Sequence, residues 1–105
     1  MPRRSEVDPL ALAVGKRIAQ LRAENGLTLE RLAYECGVSK VHLSSIERGL
    51  VRPTIQSLQT LADGLGVLLL DLVTFPEQGD RHRLIDETRR LPRGTLKRLL
   101  RDISG

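Results

Sequence analysis

The stretch "VSKVHLSSIERG", residues 38–49, describes a short helix with abrupt ends. Ser39 can cap its start and Gly49 can end it. Stepping 100° per residue from Leu43 brings Ile46, Glu47 and Leu50 to within about 60° of it, while Val41, Ser44, Ser45 and Arg48 fall on the opposite side. One narrow face therefore anchors the helix. The other presents short, polar or basic groups over which a partner surface could approach the backbone closely.

The segments on either side are helical by the same spacing rules. Upstream, Leu10, Val14, Ile18 and Leu21 recur every three or four residues, which draws an apolar stripe down a helix that starts at Pro9 and stops before Asn25 and Gly26. Thr28 is placed to cap a second helix with Glu30 in its first turn and with Leu29, Leu32, Ala33 and Cys36 on one face. Gly37 ends it, and Ser39 follows at once, so the second and third helices are joined by a tight turn. Downstream, Thr54 is the expected cap of a fourth helix with the stripe Ile55, Leu58, Leu61, Ala62 and Leu65, closed by Gly66. Residues 67–75 are expected to form a fifth, strongly apolar helix, and "PEQGD", residues 76–80, a linker. Two further helical pieces follow. One carries Leu84 and Ile85, and the other carries Leu96, Leu99, Leu100 and Ile103 behind a cap expected at Thr95.

Composition limits what such a chain can do. Of its 105 residues 40% are apolar but only Tyr34 and Phe75 are aromatic, so the core must be built from Leu, Ile, Val and Ala, as in a small all-α protein. No apolar run approaches the roughly twenty residues of a membrane span, and residues 1–8 are polar with Arg3 and Arg4. The expected compartment is the cytoplasm. The single Cys36 lies on an apolar stripe, which assigns it to the core, and two histidines with one cysteine make no metal-ligand cluster. His42, Ser45 and Glu47 lie on different faces of one helix and cannot converge on a substrate, so no enzyme, catalytic residue or cofactor is expected.

The net charge of +4 is unevenly distributed. Residues 1–79 hold nine basic and nine acidic side chains; the excess lies in residues 80–105, where Lys97 and seven arginines face Asp80, Asp86, Glu87 and Asp102. Gross charge therefore says little about the first three quarters of the chain.

Taken together, "IAQLRAENGLTLERLAYECGVSKVHLSSIERGLVRPTIQSLQTLADGLGV", residues 18–67, resembles the helix-turn-helix of the phage repressor and Cro-like (XRE-type) transcriptional regulators. The features that carry the likeness are an arginine late in helix one, "LA" in helix two, "GVS" at the turn, "IERG" ending helix three, "RPT" opening helix four and "LGV" after it. The resemblance covers residues 14–72. It implies a five-helix lambda-repressor-like domain over residues 9–75, with residues 80–104 as a helical extension.

In this family the helix of residues 40–48 lies in the DNA major groove. The resemblance makes Lys40, Val41, Ser44 and Ser45 the expected base readers: lysine can donate to guanine, valine can meet a thymine methyl, and the serines donate or accept. Thr28, Arg31, Arg48 and Arg52 are the expected phosphate contacts. Arg22 and Glu47 match positions that form a partly buried ion pair in family members. One departure stands out: where the family commonly opens helix two with a glutamine that touches a phosphate and the recognition helix, this chain has Leu29.

The implied activity is sequence-specific recognition of double-stranded DNA by a dimeric regulator, most simply a repressor at an inverted repeat. The stripe Leu84, Ile85, Leu96, Leu99, Leu100 and Ile103 can be covered by a second copy, by DNA-backbone docking of its basic flank, or by another protein, as in an antitoxin-like or adaptor role. Dimerisation is the expected use, because a single domain makes too few contacts for useful specificity.

Overall fold

The computed structural model describes residues 7–105. They form seven α-helices: α1 (Pro9–Glu24), α2 (Leu29–Cys36), α3 (Lys40–Glu47), α4 (Ile55–Leu65), α5 (Leu69–Leu72), α6 (Asp80–Arg89) and α7 (Arg93–Ser104), with a 3₁₀ turn at Pro76–Gln78. The fold is all-helical, as expected. The chain divides into two compact units, the first ending at Val73 and the second comprising Thr74–Gly105.

Short-range chemistry sets the boundaries in the first unit. Thr28, Ser39 and Thr54 each accept the backbone N–H three residues ahead, from Arg31, His42 and Ser57, at 3.0 Å in every case. The oxygen of such a side chain satisfies one of the donors that a helix start leaves without a partner. Asp8 does the same for α1, accepting from Leu10 at 2.8 Å and Ala11 at 3.3 Å.

The core of this unit is aliphatic. Ile18, Leu21, Leu32, Leu43, Ile46, Leu61, Ala62 and Leu72 are buried almost completely. Burial of leucine- or isoleucine-sized side chains contributes about 1.5–3 kcal/mol each, so Leu43 and Ile46 alone give α3 a firm seat. The seat depends on two glycines. A Cβ on Gly15 would collide with the Ile46 and Glu47 carbonyl oxygens, so a glycine on α1 is what lets its backbone lie against the end of α3. Gly49 takes φ 73° beyond α3, and a Cβ there would meet Leu12 Cα at 2.7 Å.

Several expectations are corrected at helix ends. Leu50 is not on the anchoring face: α3 stops at Glu47, the left-handed Gly49 turns the chain, Leu50 N–H returns to the Ser45 carbonyl at 2.9 Å, and its side chain is 48% exposed. A 100° projection holds only while the helix continues. Leu10 and Ile55, in the first turns of α1 and α4, are also exposed, and the stripe of α1 begins instead at Ala11.

The fifth helix is shorter than residues 67–75. Asp71 accepts the Leu68 N–H at 2.9 Å and starts the helix at Leu69, while Pro76, which has no N–H, forces a new start three residues after Val73. Within residues 76–80, expected as a linker, Pro76–Gln78 forms a 3₁₀ turn and α6 begins at Asp80. Nor does Thr95 cap the last helix, which begins earlier at Arg93, after Pro92.

In the second unit, Phe75 N–H donates to His82 Nδ1 at 2.9 Å and the two rings stack. Asp86, buried on α6, pairs with Arg89 at 3.2 Å and Arg90 at 3.8 Å. Among the described residues no helix is long and apolar enough to cross a membrane.

Candidate nucleic-acid interface

Leu43 and Ile46 turn one side of α3 into the core, which by the helix period leaves Lys40, Val41, Ser44, Ser45 and Arg48 on the other. Lys40 and Arg48 are exposed, Val41 is 77% exposed, and the serines are half-buried. These five residues line one open groove of about 410 Å³, and the sixth lining residue is Leu29. Leu29 thus does not share the burial of Leu32 and Ala33, with which spacing had grouped it. At the first position of α2 it looks out toward α3's exposed face rather than into the core. Cys36, on the same stripe, is half-buried, with its thiol donating to the Thr60 carbonyl at 3.6 Å; burial raises its pKa.

The ends of α3 are fixed by charge. Arg22 donates through Nε to Glu47 Oε2 at 2.8 Å and through Nη2 to Oε1 at 3.0 Å, and its Nη1 donates to the Leu27 carbonyl at 2.9 Å. One guanidinium therefore joins α1, the loop before α2 and the last turn of α3. Glu47 is nearly buried and Arg22 about one fifth exposed. The bond to Glu47, ahead of the opposing effect of burial, raises the Arg22 pKa, so the guanidinium keeps its charge.

At the amino end, Lys40 Nζ meets Glu30 Oε1 at 2.5 Å, and this hydrogen bond holds the Glu30 carboxyl below the usual carboxylate range. Both side chains are 59% exposed.

Three of the four expected phosphate contacts, Thr28, Arg31 and Arg52, are already engaged locally. Thr28 caps α2, Arg31 pairs with Glu35 at 2.9 Å and lies over the Tyr34 ring, and Arg52 pairs with Asp8 at 2.8 Å. Exposed pairs of this kind contribute about 1 kcal/mol or less, so exchanging a carboxylate for a phosphate costs little. The Asp8 carboxyl is held below its ordinary value, chiefly because it accepts the Ala11 and Leu10 amides and secondarily because Arg52 stands beside it.

The residues expected to dimerise divide into two groups. Ile85 and Leu96 are half-buried, while Leu84, Leu99, Leu100 and Ile103 are 67%, 40%, 62% and 81% exposed.

Two structural residues escaped the sequence reading. Gly15 is one. Arg17 is the other, 2% exposed, donating through Nε to the Asp71 carbonyl at 2.8 Å and through Nη1 to Gln20 at 3.2 Å, which ties α1 to α5. A signal was present, since Arg17 stands three residues after Val14 and four before Leu21, on the apolar stripe itself.

This arrangement, a capped α2, a tight turn and an α3 anchored on one side only, is that of a helix-turn-helix. Residues 18–72 match the helix-turn-helix (HTH_3) family, and the chain belongs to that family. It is 48% identical over 61 residues to the HTH-type transcriptional regulator y4dJ of Sinorhizobium fredii, covering 58% of this chain and 79% of that protein. It is 34% identical over 74 residues to the HTH-type transcriptional regulator PuuR of Escherichia coli, covering 70% of this chain but only 40% of PuuR. Among solved structures it resembles the biofilm regulator SinR in complex with DNA, with TM-score 0.55 and 44% identity over 57% of this chain and 97% of that one.

Proposed function

We propose that the chain is a sequence-specific DNA-binding transcriptional regulator that works as a homodimer, most simply a repressor at an inverted-repeat operator. The observation that carries this reading is the exposed face of α3, where Lys40, Val41, Ser44, Ser45 and Arg48 line one groove while Leu43 and Ile46 on the reverse side fix the helix in the core. A major groove about 12 Å wide admits such a helix, and lysine, valine and serine suffice to distinguish base edges by donation, acceptance and methyl contact. Thr28, Arg31, Arg48 and Arg52 hold the flanking phosphates and so fix register, the last after exchanging Asp8 for phosphate.

The exposed stripe Leu84, Leu99, Leu100 and Ile103, with Ile85 and Leu96 behind it, is the surface assigned to the second copy. Two domains so joined read half-sites about one helical turn of DNA apart. The same stripe would serve an adaptor or antitoxin-like protein, in which case a different chain covers it.

Selection from a randomised duplex pool with the full chain tests the reading. An enriched inverted repeat with centres about 10 base pairs apart is expected. Sedimentation of the same protein should give a dimer that Leu100→Asp together with Ile103→Asp converts to a monomer of unchanged helix content. Enrichment of no sequence, or a monomer that acquires a stoichiometric protein partner through α7, would contradict it.

A further inference from the structure

Leu29 occupies the corner where α2 begins and the exposed face of α3 opens. Of the residues lining this groove, Lys40, Ser44, Ser45 and Arg48 are polar, and Leu29 and Val41 are the apolar ones. The leucine side chain has no group to offer a phosphate. The next residue, Glu30, is an exposed carboxylate that pairs with Lys40 and would repel a phosphate placed beside it. The Leu29 side chain, unlike Thr28 and Arg31 on either side of it, is therefore suited to an uncharged, apolar group on the DNA rather than to its backbone. In the major groove the base edges offer one such group, the 5-methyl of thymine.

We infer that Leu29 is a specificity-determining residue of the interface, forming with Val41 an apolar notch that receives the 5-methyl group of one thymine in each half-site. This rests on the DNA-binding reading above. The Glu30–Lys40 pair supports the arrangement from the side, because a lysine held by a carboxylate leaves the notch to the two apolar side chains.

The test compares thymine with deoxyuridine, which lacks only that methyl. Sites enriched by the full chain are resynthesised with each thymine replaced in turn, and affinities are measured for the unaltered protein, Leu29→Ala and Leu29→Gln. Burying a methyl-sized group contributes about 0.8 kcal/mol, a change of about fourfold in affinity. One thymine per half-site should show that fourfold loss with the unaltered chain and none with either variant. Circular dichroism accompanies each titration, and the two variants, one smaller and one polar, guard against a folding defect in either. A fourfold loss that persists in both variants would assign the methyl to Val41 alone and overturn the inference. So would a site in which no thymine responds to loss of its methyl. Failure of the full chain to enrich any sequence would overturn both this inference and the DNA-binding reading beneath it.

Discussion

Helices α3 and α7 both display basic residues, yet only α3 has its apolar side covered within its own unit. Leu43 and Ile46 on α3 are 0% and 1% exposed, whereas α7 has no buried residue and leaves Leu100 and Ile103 62% and 81% exposed. Both interleave polar and apolar residues, so patterning alone does not separate them. The separation comes from what the rest of the fold provides. α3 is seated by Gly15, Gly49 and the Arg22–Glu47 pair, and it can offer its polar side to a ligand without moving. α7 leaves its apolar side uncovered within its own unit.

This contrast fixes the expected sizes of substitution effects. Leu43→Ala should cost the fold about 4 kcal/mol, since a fully buried leucine loses both its transfer free energy and its packing. Leu100→Ala, measured by the same denaturant titration at a concentration too low for association, should cost less than about 0.5 kcal/mol. Equal losses would erase the distinction between the two helices.

Gly15→Ala should come next, at about 3 kcal/mol, because its Cβ is opposed by backbone carbonyls of Ile46 and Glu47 that cannot swing aside as a side chain can. A neutral effect in thermal unfolding would show that α1 and α3 are less closely apposed than described.

Arg22→Ala is expected to cost about 2 kcal/mol. The pair lies between an exposed pair, worth about 1 or less, and a buried one, whose disruption costs about 3–5. Glu47 is nearly buried but Arg22 is about one fifth exposed, so water partly compensates the stranded acid. A loss of only a few tenths of a kcal/mol would place the pair in solvent and remove it as an anchor of α3.

The parts of this fold that local chemistry governs were legible in the sequence. Thr28, Ser39 and Thr54 announce helix starts because a cap bond reaches only three residues, and Gly37, Gly49 and Gly66 announce stops for equally local reasons. An apolar stripe is a weaker guide at helix ends: Leu10, Ile55 and Leu50 fit the angular pattern but lie where the neighbouring elements no longer cover them. Features that depend on distant residues were the hardest to see. Nothing local marks Gly15 as a contact with the Glu47 carbonyl or Asp8 as the partner of Arg52. Arg17 and Leu29 were misleading in opposite senses. The arginine on the apolar stripe is buried because a backbone carbonyl on α5 accepts from it, and the leucine on α2 faces the groove because it stands at the first turn.

Ser45→Glu separates the two sides of α3, the exposed one proposed to read DNA and the reverse one that holds the fold. A carboxylate at position 45 enters the groove lined by Lys40, Ser44 and Arg48 and would repel any phosphate brought to it. Helix content by circular dichroism and affinity for the enriched site are measured on one sample. The expected result is an unchanged spectrum and unfolding midpoint with specific binding abolished. Retained specific affinity, or binding lost only in step with helix content, would contradict the assignment of that face to DNA.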